Sequence, residues 1–214
     1  MSLEDRVLAY LEPKLPPSLS FKPGPLHRLD RPSSGIVAFS TNLEGARLFS
    51  SLMRERKIKK SYLALVTGTI EKAELWADDL VRDREMKKTF IGRPSPDGIG
   101  AEGKTALTKV VPLLKSPACT LILAEIETGR THQIRAQAAA HGHPLLGDKK
   151  YSGSAQKNQY SAGGFLLHAW RMEFGEGTPF PPVIEAPLPE RFCRKIEELG
   201  IRRQELRKCL MCNV

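Results

Sequence analysis

The chain has 214 residues, with 33 Lys+Arg against 24 Asp+Glu, a formal net charge of +9 and 41% apolar residues. That apolar share suits a packed globular core and excludes a disordered tail or a fibrous repeat. No apolar run approaches the roughly 18 residues of a membrane span, and the start MSLEDRVLAYLEPKL is neither a secretory signal nor an Arg-rich transit sequence.

Val7, Leu8 and Leu11 predict a short helix over 5–12, stopped by Pro13. The following PKLPPSLSFKPGP, with five prolines, must run extended or turn. After HRLDRP, Ser33-Ser34-Gly35 reads as a turn and Ile36–Ser40 as a buried strand. Asn42 is a candidate N-cap for a helix whose apolar face carries Leu43, Ala46, Phe49, Leu52 and Met53. Its cationic end, Arg54, Arg56 and Lys57, suits the helix dipole. KKSYLALVTGTI has the β-branched and aromatic content of a strand. Residues 82–103 read as a basic loop. Two strands are predicted over 104–114 and 119–128, parted by Ser116-Pro117.

Thr131 is placed to cap a short alanine-rich helix from His132 to about His141, with Gly142 as its stop. Residues 145–164 read as irregular. FLLHAWRMEF is a further strand, and a last helix starts near Pro189 with Phe192 and Ile196 on one face. Helices alternate irregularly with runs of adjacent strands. The expected class is α+β: a mixed, mainly antiparallel sheet flanked by helices in a single domain.

Cys119, Cys193, Cys209 and Cys212 are scattered, which favours a reducing, cytoplasmic setting. Cys209-x-x-Cys212 lacks two further ligands nearby and is read as a frayed tail rather than a metal or redox pair. No P-loop, G-x-S-x-G elbow or H-E-x-x-H is present. The pI near 9.5 favours a polyanionic partner.

Two residues stand out chemically. Asp30 lies among His27, Arg28 and Arg31, whose charges favour an ionised carboxylate, able to act as nucleophile or base or simply to hold a turn. Arg135 lies one turn into the alanine-rich helix. If buried it needs a carboxylate partner, and both Asp30 and Asp148 qualify on spacing.

His27-Arg28-Leu29-Asp30 followed by Ser34-Gly35 resembles the HRLD-x-x-(T/S)SG motif of the RluA-type RNA pseudouridine synthases. Lys60-Ser61-Tyr62-Leu63-Ala64-Leu65-Val66 resembles that family's K-x-Y-x-A-x-V. TGRTHQIR at 128–135, then Gly142-His143-Pro144 and Gly147-Asp148, resembles its third motif, and His168-Ala169 and APLP at 186–189 also fit. The matches keep the family's order over residues 26–190.

The resemblance implies isomerisation of uridine in structured RNA, ribosomal or transfer, to pseudouridine. It implies that Asp30 is catalytic, that Tyr62 stacks on the target base, that Arg135 pairs with Asp30 and that Arg28 helps displace the nucleotide. Neither cofactor nor metal is expected, because nothing is consumed in an isomerisation. His27, Lys59, Lys60, Arg130 and His132 are candidate RNA contacts, and Lys57 and the basic stretch 82–93 are candidates for holding phosphates. The division expected is 1–25 as helix and proline-rich lead-in, 26–200 as catalytic domain and 201–214 as basic tail, working as a monomer. The family's upstream K-P-x-G turn has no counterpart here, which reads as a minimal version, a fragment or a shortened gene product. The rival reading is a non-catalytic RNA-binding protein or RNA chaperone on the same scaffold; it does not explain why Asp30, Tyr62 and Arg135 occur together.

Overall fold

The computed structural model describes residues 1–15, 21–92, 103–152 and 164–212. Among the described residues eight strands form one sheet in the order β1-β7-β2-β6-β5-β3-β4, with β8 paired to β7. They are β1 Ser34–Gly35, β2 Ile58–Thr67, β3 Glu74–Asp83, β4 Lys88–Ile91, β5 Lys104–Lys115, β6 Cys119–Ile126, β7 Leu167–Phe174 and β8 Val183–Glu185. Only β1 and β7 run parallel; every other pair is antiparallel. The α+β class with a mixed, mainly antiparallel sheet is therefore the observed one.

The pleat sends alternate residues of β2 and β6 to opposite faces, and both faces are apolar. Ala64, Val66, Ile122 and Ala124 face one cluster, completed by Trp76 and by Ile134 and Ala138 of helix α3 (Gln133–Ala140). Leu63, Leu65, Leu121 and Leu123 face the other, under Phe192 and Ile196 of α4 (Glu190–Glu198) and Leu206 of α5 (Arg203–Cys212). Helix α1 (Leu3–Leu11) has no buried residue, whereas α2 (Leu43–Arg54) seats Phe49 and Leu52 on Ile58, Met172 and Phe174. Asn42 caps α2 by accepting from the Gly45 N–H at 2.7 Å.

Four local expectations change. Ile36–Ser40 is a half-buried extended segment that pairs mainly through an isolated bridge between Pro25 and Phe39, while the true strand is the preceding Ser34–Gly35. The stretch 82–103 is not all loop: Leu80–Asp83 pairs with Lys88–Ile91 in a β-hairpin. Arg84 and Lys87 lie in the turn of that hairpin and Arg82 stands opposite Thr89 on its strands; residues 93–102 lie outside the described part. Thr131 does not cap α3. His132 is the N-cap, in the left-handed region at φ 56°, without a side-chain cap bond. Finally, residues 201–212 include a helix rather than a frayed tail. Ile201 and Leu206 are buried in the second cluster, and the Cys209 thiol reaches the Leu113 carbonyl at 3.7 Å.

Candidate active site

The site begins with a close approach of two backbones. Gly35, at φ 110°, lies so near β7 that a Cβ there would sit 2.1 Å from the Ala169 carbonyl oxygen. Only glycine lets β1 pair at that distance. Ser34 Oγ and His168 Nδ1 lie 2.8 Å apart in a hydrogen bond that ties the same junction. A turn closed by the Ser33 N–H donating to the Asp30 carbonyl at 2.8 Å then presents Asp30 at the end of the sheet.

Arg135 comes to meet it from α3. The helix stops in a Schellman arrangement, with the Gly142 N–H donating to Ala139 and the His143 N–H to Ala138, and Gly142 at φ 84°. Arg135 is buried. Its Nε and Nη2 donate to the two oxygens of Asp148 at 2.7 and 2.9 Å, and its Nη1 donates to Asp30 Oδ2 at 2.9 Å. The guanidinium lies between two rings, 4.3 Å from the centre of Phe165 and 4.9 Å from that of Tyr151. Spacing alone left Asp30 and Asp148 as alternatives; the fold uses both. Asp148 orients the cation with a two-pronged bond, and the cation fixes one oxygen of Asp30.

Tyr62, on β2, closes the opposite wall. Burial, reinforced by the charge of Asp30, pushes its phenol up to about 12, so it keeps its proton at neutral pH. Between these groups lies an open cleft of about 80 Å³. Its polar lining includes Arg28, Asp30, Tyr62, Arg130, His132 and Arg135, over an apolar floor that includes Ile126, Ile134 and Leu167.

Six of the residues singled out from sequence thus converge. Three others do not enter the cleft. His27 turns inward: its ring stacks on Phe49 at 6.1 Å, and its Nε2 accepts from the Ala38 N–H at 3.0 Å. Burial, with the charge of Lys60, lowers its pKa. Lys60 is buried along β2 near Gly129, and burial lowers its pKa too. Lys59 is exposed on the other side of the strand.

Sequence reasoning missed Tyr151 and Thr89. The Tyr151 hydroxyl accepts from the Thr89 N–H at 2.9 Å and shares a hydrogen bond with His132 Nδ1 at 2.8 Å. The only available signal was the position of Tyr151 three residues after Asp148. Gln133 and Gln137, also unremarked, bind α3 to the sheet: Gln133 Nε2 donates to the Leu107 carbonyl at 3.0 Å, and Gln137 Oε1 accepts from Thr108 Oγ1 at 2.6 Å.

The sequence pattern of the RNA pseudouridylate synthase family matches residues 4–140. The chain belongs to this family. Among relatives, an uncharacterized RNA pseudouridine synthase of Helicobacter pylori is 31% identical over 187 residues, which is 82% of this chain and 61% of the relative. The ribosomal large subunit pseudouridine synthase D of Nitrosomonas europaea is 34% identical over 183 residues, 81% of this chain and 51% of its own length. The chain therefore spans between about half and three fifths of these two relatives. The solved structure of human RNA pseudouridylate synthase domain containing 1 superposes with a TM-score of 0.69 at 25% identity, covering 83% of this chain and 73% of that one. Among the described residues no helix is long and apolar enough to cross a membrane.

Proposed function

We propose that this chain isomerises uridine in RNA to pseudouridine, with residues 26–200 as the catalytic unit and Asp30 as the catalytic carboxylate. The observation that carries this reading is the Asp148–Arg135–Asp30 chain, which holds one carboxylate in one orientation at the edge of a cleft walled by an aromatic ring.

Uridine must lose its N1–C1′ bond, turn over and rejoin through C5. A stacked base cannot turn, so it is first flipped out at a cost of a few kcal/mol. Stacking on Tyr62 returns about 1–3 kcal/mol of that. Arg28, exposed and lining the cleft, takes the part of displacing the target nucleotide from its helix. Arg135 restricts Asp30 to one rotamer, and its charge keeps the carboxylate available for attack on the sugar or the ring, or for removal of a sugar proton. The apolar floor keeps the reacting ring out of water. The names of the relatives point to ribosomal and transfer RNAs as the structured substrates.

The test is pseudouridine content in transcribed ribosomal and transfer RNA after incubation with the wild type and with Asp30→Asn. New pseudouridine from the wild type alone is expected. Equal product from both would remove Asp30 from the chemistry, and RNA binding without product from either would favour a binding protein on this scaffold.

A further inference from the structure

The isomerisation leaves a proton to be accounted for. Once C5 is joined to C1′ it carries both the new bond and its original hydrogen. That hydrogen must leave as a proton, its electron pair returning to the ring, and N1 must gain a proton. No proton is gained or lost overall. One base that takes the first and supplies the second is therefore sufficient.

The titratable side chains lining the cleft are few. Arg28, Arg130 and Arg135 are cations without a lone pair to offer. Tyr62 holds its proton, with burial raising its pKa to about 12. Asp30 is bound through Oδ2 to Arg135 and is assigned to the glycosidic bond. His132 remains.

Its setting is specific. It stands at φ 56°, a strained conformation for a residue with a Cβ, at the N-terminus of α3. Its Nδ1 is bonded to the Tyr151 hydroxyl, which the Thr89 N–H anchors in turn. Its Nε2 faces the cleft 3.8 Å from Asp30 Oδ1, beyond hydrogen-bond reach. With the ring proton on Nδ1 and donated to Tyr151, the Nε2 lone pair is open.

We propose that His132, oriented by Tyr151, takes the proton from C5 of the rejoined uracil and returns it to N1. This rests on the pseudouridine synthase reading. The charged groups facing the ring suit a proton held briefly. Asp30 stabilises the imidazolium, whereas burial and the charges of Arg135, Arg82 and Lys150 oppose it and together push the ring's pKa down to about 4. The ring is thus neutral at rest and gives up what it accepts.

The experiment uses transcribed ribosomal and transfer RNA made with ordinary uridine or with uridine deuterated at C5. The wild type should turn over both, with little difference in rate. His132→Asn, which tolerates the left-handed backbone, should lower kcat by about 10²–10³-fold with KM nearly unchanged, and the deuterated RNA should now react more slowly than the ordinary one. Tyr151→Phe should show the same isotope signature with a smaller loss. His132→Gly, which suits φ 56° without strain, keeps the test open if the asparagine variant does not fold, and added imidazole should restore part of its turnover. Turnover by His132→Asn within about threefold of wild type would overturn the proposal. A slowed variant indifferent to C5 deuteration would overturn it too. A wild type that releases no C5 deuterium from any of these RNAs overturns the pseudouridine synthase reading itself, and this one with it.

Discussion

Arg135 bonds two aspartates that look alike in sequence and differ in their surroundings. The Asp148 side chain is 1% exposed and accepts two guanidinium bonds, while that of Asp30 is 15% exposed and accepts one. In the proposed function the first is a support and the second the working group, so their asparagine variants should diverge. Asp148→Asn takes the compensating charge from a buried guanidinium and should cost about 3 kcal/mol. Asp30→Asn leaves the two-pronged bond intact and should cost less than about 1 kcal/mol. Urea unfolding of the two variants measures the difference; equal losses would mean that Asp148 is not the structural anchor. Both aspartates were nameable from spacing. The three-way arrangement was not, because it depends on how the turn after Gly147 lies against α3, and nothing in residue order reports that.

At the scale of elements, glycine distinguishes two junctions that read alike. Gly35 and Gly142 both have positive φ and both belong to the motif pattern. A Cβ on Gly142 meets nothing within 4 Å, so Gly142→Ala pays only the left-handed penalty, about 1 kcal/mol. A Cβ on Gly35 would fall on the Ala169 carbonyl, and Gly35→Ala must push β1 off β7, costing about 3 kcal/mol or more. Thermal unfolding should rank them in that order, and turnover should fail with Gly35→Ala because Asp30 hangs from the same junction. The long elements other than β3 and α5 were legible in sequence. The β-branched and aromatic content of β2 and the apolar face of α2 are direct consequences of burial and need no knowledge of neighbours. The failures fell where partners decide the structure. Ser34–Gly35 is a strand only because β7 lies beside it. Lys88–Ile91 is one because Leu80–Asp83 pairs with it. His132 takes a helix-capping position because Tyr151 holds its ring.

Across the whole molecule two properties follow from where charge is placed. Burial lowers the pKa of His27, His132 and His168, so the folded chain binds fewer protons than the unfolded one below their ordinary value near 6.5. Stability should therefore fall as pH drops from about 7 to about 5, by proton uptake on unfolding. A melting temperature flat across that range would contradict three buried neutral imidazoles. The second property is the distribution of the +9 charge. On α4, α5 and the link between them, Arg194, Lys195, Arg202 and Arg203 are matched by Glu190, Glu197, Glu198 and Glu205. Beside the cleft lies a groove of about 420 Å³ lined by Arg82, Arg84, Lys104 and Arg130, and none of these four has an ion pair among the described residues. Matched charges neutralise one another, whereas unmatched ones along a groove attract phosphates and release their counterions. The groove shares Arg130 with the cleft, so a strand lying in it leads to Asp30. Arg84→Glu and Lys104→Glu should each weaken RNA binding and flatten its salt dependence by about one phosphate contact, measured between about 50 and 200 mM salt. Arg202→Glu, just before α5, should change neither. If all three variants shift binding alike, net charge alone draws the RNA, and the groove has no privileged part in directing it to the cleft.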